Sequence, residues 1–339
     1  MSKKNFQIAV LYNDEQKTVC GHSQDLIALQ YTTIVAGLLH EALLLRGYHA
    51  LKIAVQDSLD DLQEQMNNYS PEDTFILDNC DGFNGNNMAA VFVLELIESM
   101  GFKHTGAPAH VVALCIDKAR AKRRLMEHGI PTPAFQIFKH PTSELRLNFP
   151  LIVKPVMEDG SLGIDLSSVV SNAKDLRERI GYVLDQYHQP ALVEEFIPGR
   201  EFAVSMWGNG VVEAMPVAEE DYSWVKDPLQ CLITYEAKWL PESPYYKNIV
   251  IRCPADLTPI EEHRIKTTAI QAYKAVGLRD LGRMDMRYYN GIPYILDINE
   301  LPDLAPDSGF ANTAAVAGYT YADTVERIVR FALEREGWV

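Results

Sequence analysis

GRMDMRYYNGIPYILDINELPDLAPDS, residues 282–308, decides how the rest of this chain is read. Leu281 to Tyr288 alternates and is rich in apolar residues, Asn290-Gly291 is a two-residue turn signal, and Ile292 to Ile298 is a return strand. The stretch therefore predicts a β-hairpin. Period-two alternation puts Arg283, Asp285 and Arg287 on one face of the first strand, and Asp297 and Asn299 together near the end of the second. An arginine, two carboxylates and an amide oxygen then meet at one edge of a sheet. Hard oxygen donors of this kind suit Mg²⁺, which takes few protein carboxylates and completes its shell with water and phosphate oxygens. Taken alone the pattern fits a solvated hairpin face equally well, and other parts of the chain must decide.

With 339 residues the chain predicts two or three domains and ample core. A hydrophobic content of 47% with 23% charged residues is ordinary for a globular protein. The formal charge of −15 argues against nucleic acid or an anionic membrane as partner. An anionic ligand would need a local island of lysine and arginine. Five cysteines, Cys20, Cys80, Cys115, Cys231 and Cys253, show no CxxC spacing, as expected of reduced thiols in the cytoplasm and not of a zinc site. The N-terminus enters a strand without a long apolar segment, and no apolar run reaches the roughly 18 residues of a membrane span. The nine histidines show no ligand spacing.

Residues up to about 107 alternate strand and helix: strands at 6–11, 50–55 and 74–77, helices at 26–46, 59–69 and 88–100, and a short strand exit at 104–106. That order predicts a mainly parallel sheet with helices on both faces, and ligands near Tyr12-Asn13 and Asn79 to Phe83. Val111 to His128 reads as one basic helix whose lysines and arginines mostly face solvent, ended by Gly129-Ile130-Pro131-Thr132-Pro133. A strand at 151–155 leads into a glycine loop, Glu158 to Gly163, and a returning strand at 164–170. A helix at 173–187, a strand at 191–197 and a hairpin of 202–207 with 211–217 follow. Residues 219–257 read as a long irregular segment carrying Lys238, of the length expected for a lid. Its tyrosines and Trp239 read as loop packing, with Trp239 beside Lys238 at the edge of a pocket. Thr258-Pro259-Ile260-Glu261 is a capping box with proline at the first helical position, opening a helix to Val276. A last helix spans 322–336.

Neither GxxxxGK[ST] nor a GxGxxG after the first strand is present, so any phosphate is held by other means. Lys154 ends an apolar strand just before a glycine loop whose backbone N–H groups can face an anion. Val153-Lys154-Pro155, Gly160-Ser161-Leu162-Gly163, Val193 to Ile197 with Glu201, Arg283-Met284-Asp285 and Asp297-Ile298-Asn299 together resemble the ATP-grasp superfamily, in its D-alanine–D-alanine ligase branch. The resemblance extends to Asp78 to Gly82, Thr105-Gly106, Asp117-Lys118, Gly129 to Pro133 and Cys253-Pro254-Ala255, covering most of the chain.

That resemblance implies an α/β ATP-grasp fold. Residues 1–107 would form an N-terminal doubly wound parallel-sheet domain, 108–200 a central lid subdomain, and 201–339 the catalytic subdomain, α+β in character. It implies ATP contacts from Lys118 and Lys154 on the α- and β-phosphates, with Gly160 and Ser161 in the phosphate loop. Glu194 and the backbone of Glu195, Phe196 and Ile197 would read adenine, and Glu201 would hold the ribose. Lys238 would meet the γ-phosphate. Asp285, Asp297 and Asn299 would hold two Mg²⁺ ions, with Mn²⁺ able to substitute. Arg283 would stabilise the acyl phosphate and tetrahedral intermediate, and Ser308 the acceptor's carboxylate. Amino-acid-like partners and a homodimer are further expectations.

Three departures fall on the amino-acid side. Tyr12 to Asp25, YNDEQKTVCGHSQD, lacks the family's glycine- and serine-rich signature and its substrate-binding glutamate. Gly160 stands where a serine is usual, and Asp303 where a glycine helps form the oxyanion hole. The leading expectation is an ATP-dependent carboxylate–amine ligase whose pair is not two D-alanines but includes a larger or differently charged partner. A D-Ala–D-Ala or D-Ala–D-lactate ligase is the alternative, and a non-catalytic ATP sensor the third reading.

Overall fold

The computed structural model describes residues 6–14, 26–56, 58–84 and 86–339. Most of the unusual Tyr12–Asp25 stretch, residues 15–25, lies outside them. The first sheet is built from β1 (Gln7–Asn13), β2 (His49–Val55), β3 (Thr74–Asn79) and β4 (Lys103–His104), ordered β2-β1-β3-β4 and parallel throughout. Its connections are α1 (Leu26–Leu45), α2 (Leu59–Met66) and α3 (Ala89–Ser99). β3 is buried along its whole length, as a central parallel strand covered on both faces should be.

Where one long helix was expected at 111–128, the chain makes two, α4 (Ala109–Ile116) and α5 (Lys118–Glu127). Asp117 causes the break. Its backbone is extended, and its side chain caps α5 by accepting from Arg120 N at 3.0 Å. The restart turns Lys118 and Lys122, four residues apart, into the protein instead of toward solvent.

A second, antiparallel sheet follows, ordered β5-β8-β6-β7: β5 (Phe135–Phe138), β6 (Leu151–Pro155), β7 (Val169–Val170) and β8 (Ala191–Glu195), backed by α6 (Ala173–Tyr187). β5 was not expected. The expected returning strand at 164–170 shrinks to β7, because Asp165 caps a 3-10 turn at Leu166–Ser168.

The third sheet carries the opening hairpin. It comprises β9 (Arg200–Trp207), β10 (Glu213–Ala214), β11 (Ala218–Asp221), β12 (Val250–Arg252), β13 (Leu281–Tyr289) and β14 (Ile292–Asn299). Its order is β12-β11-β9-β13-β14, with β10 on β9. Only two residues of the expected 211–217 strand pair. The 219–257 segment is more regular than its composition indicated. Besides β11 and β12 it holds α7 (Tyr235–Trp239) and α8 (Pro244–Asn248), capped by Thr234 and Ser243. α9 (Pro259–Val276) has the expected capping box at Thr258–Glu261, and α10 (Gly309–Val316), which sequence reading missed, precedes α11 (Tyr321–Arg335).

Cores tie these layers together. One packs α4, α5 and α9 against the third sheet through residues such as Val112, Leu125, Ala272 and Met284. Another joins the first sheet to α10 and α11 through Ile8, Phe75, Phe310 and Val329. Among the described residues no helix is long and apolar enough to cross a membrane.

Candidate active site

Every residue assigned a role in binding ATP, metal or the reacting groups lines one cavity of about 810 Å³ between the three sheets. Its floor is the β13–β14 hairpin. Asn290 and Gly291 both take positive φ, 49° and 78°, as the tight turn requires. From there the register sets Arg283 opposite Asn299 and Asp285 opposite Asp297, with a bulge beside Asp285. The bulge is what brings Leu296 and Asp297 to the cavity while Ile295 and Ile298 stay in the core.

Arg283 grips Asp285 with two bonds, Nε to Oδ1 at 2.7 Å and Nη2 to Oδ2 at 2.8 Å, and Asn299 Nδ2 donates to the same carboxylate at 3.0 Å. Burial opposes both charges, but each partner outweighs it, so the Arg283 pKa rises and the Asp285 pKa falls. Lys118 Nζ lies 2.8 Å from Asp297 and 2.7 Å from Asp159. Burial pulls against the Asp297 charge, yet Lys118 and Lys154 hold its carboxyl down at about 2.

Behind this layer stands a buried trio. Glu194, 1% exposed, lies 2.7 Å from Lys154 Nζ and 2.5 Å from Lys122 Nζ. Lys122 also donates to Thr132 Oγ1 at 2.9 Å and to the Leu296 carbonyl at 3.0 Å. Those bonds consume its ammonium, so Lys122 positions Glu194 and β14 and does not reach the cavity. Sequence reading missed it. The available signal was the four-residue spacing from Lys118.

The glycine loop and the lid are stitched together above the floor. Gly160, Ser161 and Gly163 have φ of 61°, 62° and 72°. A Cβ on Gly163 would come within 2.7 Å of Pro155 Cγ and 2.9 Å of Tyr187 Cε2, so glycine is required there. Ser161 Oγ donates to Ile233 O at 3.1 Å, and Trp239 Nε1 donates to Gly160 O at 2.9 Å. Trp239 therefore does more than pack the loop: it lines the cavity and closes it. Lys238, on the same turn, faces the cavity; burial and the neighbouring Arg283 lower its pKa.

At the far wall, Glu201 accepts from Arg287 at 2.7 Å and from Tyr222 OH at 3.2 Å. Arg287 also donates to Ile197 O at 2.7 Å and bonds Cys231 O, linking the 195–197 strand end to the lid. Glu195 N and Phe196 N are bonded to Ala134 O and Pro150 O. Among the described residues nothing occupies the N–H of Ile197. Glu220 sits opposite Glu201 on β11, and no hydrogen bond reaches its buried Oε2 among the described residues. Burial, then Glu201 and Asp285, pushes its carboxyl up to about 8.

At the remaining end, Ser308 caps α10 by accepting from Ala311 N at 3.2 Å and lines the cavity with Asp303 and Asp307. Asn79, Cys80 and Asp81, at the carboxyl end of β3, line it too; Tyr12 and Asn13 do not.

Among the described residues, no three His, Cys, Asp or Glu side chains converge closely enough to hold a metal by themselves. The donor set fits an ion of another kind. Asp285 and Asp297 face one another with Asn299 beside them, each carboxylate now held by a cation. Two carboxylates and an amide suit Mg²⁺ when phosphate oxygens supply the rest of its shell.

A parallel-sheet domain beside two antiparallel sheets, with lysines, a glycine loop and paired hairpin carboxylates around one cleft, defines an ATP-grasp enzyme, an ATP-dependent carboxylate–amine ligase. Residues 125–330 match the family model described as D-ala D-ala ligase C-terminus, and the chain belongs to that family. Similar proteins include the uncharacterized protein y4sG of Sinorhizobium fredii, 32% identical over 72% of this chain and 70% of its own. The D-alanine–D-alanine ligase of Desulforamulus reducens is 30% identical over 71% of this chain and 76% of its own. Among solved structures, the D-alanine–D-alanine ligase of Bacillus anthracis complexed with ATP superposes with a TM-score of 0.76. That match covers 98% of this chain and 99% of the other at 20% identity, and speaks for the fold.

Proposed function

We propose that this enzyme activates an amino-acid-like carboxylate with ATP as an acyl phosphate, then joins it to an amine, giving an amide, ADP and phosphate. One observation carries the reading: Lys118, Lys154, Lys238 and Arg283 share a cavity with Asp285, Asp297 and Asn299. Two anions, the carboxylate and the γ-phosphate, must meet for the first step, and only a dense set of fixed cations makes that approach favourable. Lys118 and Lys154 hold the α- and β-phosphates, and Glu194 orients Lys154. The Ile197 N–H and the Glu195 carbonyl read the adenine edge, Phe196 lines its slot, and Glu201 takes the ribose hydroxyls. Lys238 meets the γ-phosphate from the lid. Gly160 and Ser161 leave room for the phosphates and anchor the lid. Asp285, Asp297 and Asn299 hold Mg²⁺, or Mn²⁺ in its place, which neutralises the phosphate charge when bound. Arg283 stabilises the acyl phosphate and the oxyanion formed when the amine attacks, and Ser308 binds the acceptor's carboxylate. Closure by Trp239 and Ser161 keeps water from the acyl phosphate.

Each sheet is the centre of one unit, with boundaries near 107 and 200, save that α4 and α5 pack with the third sheet; the enzyme works in the cytoplasm. The names of the curated relatives favour a second reading, joining two D-alanines, which Asp303 in the cavity wall counts against. Phosphate release from ATP across pairs of amino acids, with mass spectrometry of the products, tests both. Lys154→Ala, keeping its fold, should lose roughly 10²-fold or more in kcat/KM. Near-normal ADP production by that folded variant would remove the assignment.

A further inference from the structure

The cavity has two electrostatic ends. Toward the phosphate-binding lysines, Asp159, Asp297, Glu194 and Asp285 each hold a lysine or arginine within 2.8 Å. Toward α10 the pattern stops. Asp303 Oδ1 accepts from Ala305 N at 2.8 Å, and Asp307 Oδ1 accepts from Tyr31 OH at 3.2 Å. Among the described residues no lysine, arginine or histidine pairs with either carboxylate. Both line the cavity; Arg283 and Lys238 act on Asp303 through space, and among the described residues neither carboxylate has a cation in direct contact.

The wall facing them is aromatic. Tyr31 and Trp239 meet edge to face, with centroids 6.0 Å apart and planes at 74°, and Tyr246 lines the same end. Trp239 is fixed in that position by its bond to Gly160 O. These groups sense one another: after burial, Asp307, Asp303 and Tyr246 are what hold the Tyr31 phenol up at about 12. Ring faces attract an ammonium or guanidinium, and carboxylates beside them add a directed counter-charge. An apolar or anionic side chain would meet neither need.

We propose that this end of the cavity takes the positively charged side chain of a basic amino-acid substrate, with Asp303 and Asp307 as counter-charges and Tyr31 and Trp239 as the enclosing wall. The assignment rests on the ligase reading and names its substrate class. The same carboxylates could instead serve the α-ammonium that every amino acid carries, and isosteric pairs separate the two cases. Lysine has 2-aminoheptanoic acid as its neutral counterpart and arginine has citrulline, each tested in D and L form as donor and as acceptor. Product formation should favour the basic member of each pair by roughly tenfold or more in kcat/KM. Asp303→Asn and Asp307→Asn should each shrink that ratio severalfold, and the double variant should abolish it.

A ratio near one in the wild type overturns the proposal. So do variants that slow the basic and neutral members equally, since that outcome assigns the carboxylates to the α-ammonium. A calorimetric titration of lysine and 2-aminoheptanoic acid into the protein loaded with Mg²⁺ and a non-hydrolysable ATP analogue reads selectivity without turnover. Lysine binding at least tenfold tighter supports the pocket even if no ligation occurs, an outcome that would remove the ligase reading alone. Equal affinities remove the pocket.

Discussion

Glu194 holds two lysine ammonium groups while exposing almost none of its own surface. Burial alone would keep such a carboxyl protonated, and Lys122 and Lys154 reverse that, holding its pKa below the ordinary value. The trio turns one lysine toward the cavity at a fixed height by anchoring the other in Thr132 and Leu296. Asp297 repeats the device with Lys118, and its charge is what an ion would inherit. Asp297→Asn should raise the Mg²⁺ concentration for half-maximal activity by about tenfold or more, and an unchanged value would mean that the hairpin does not hold the metal. Glu220 has no such partner. Its pKa near 8 lies above the ordinary 4.5, so the folded state resists ionising it. The stability it permits below about pH 4.5 is therefore lost as pH rises through 8. In the absence of nucleotide, Glu220→Gln should be more stable than wild type at pH 9, by on the order of 2 kcal/mol, and equal to it at low pH. Urea midpoints at several pH values check this, and parallel pH profiles would sink it.

At the scale of elements, what could be read from the sequence was whatever repeats with a fixed period or carries a cap. The β13–β14 hairpin follows from alternation and Asn290-Gly291, and α9 from Thr258 and Glu261. The cavity's cation and carboxylate positions follow from those elements together with the ATP-grasp resemblance. Sequence reading failed where a single side chain breaks an otherwise continuous pattern. Asp117 splits a helix that hydrophobic spacing runs straight through, and Asp165 turns an expected strand into a 3-10 turn. Short elements closed by tertiary contact were also invisible: α7 is five residues long and is held by Thr234 and by the Tyr235 N to Ile164 O bond. That bond, Ser161–Ile233 and Trp239–Gly160 fasten the lid at three points. Trp239→Phe removes one hydrogen bond while keeping an aromatic ring, a loss of about 1 kcal/mol. The expected result is leakage: phosphate released per amide formed should rise severalfold, because water reaches the acyl phosphate more often. Unchanged coupling would show that the lid does not depend on this bond.

Across the whole molecule, the first sheet and the third are locked by one buried carboxylate. Asp280, fully buried at the start of β13, accepts from Gly106 N at 2.9 Å just after β4. It also accepts from Asn209 Nδ2 at 2.8 Å in the β9–β10 turn and from Arg335 Nη2 at 2.8 Å at the end of α11. Arg335 in turn donates to His104 O at 2.8 Å, and Arg279 to Gly106 O at 2.6 Å, so the junction is braced from both sides. Three segments far apart in sequence thus share one acceptor, in addition to the apolar contact of the first sheet with α10 and α11. Asp280→Ala would strand a buried arginine together with the Gly106 and Asn209 donors. Removing one partner of such a buried pair costs about 3–5 kcal/mol, a large share of the stability of an ordinary domain. The expected outcome is a melting temperature lowered by several degrees or more, with lost cooperativity as the first sheet loosens from the rest. Calorimetry should resolve a broadened or split transition. Asp280→Asn, which keeps an acceptor oxygen but drops the charge, should fall between the two proteins. A single sharp transition at the wild-type temperature in Asp280→Ala would show that apolar packing alone holds the sheets in register around the cavity.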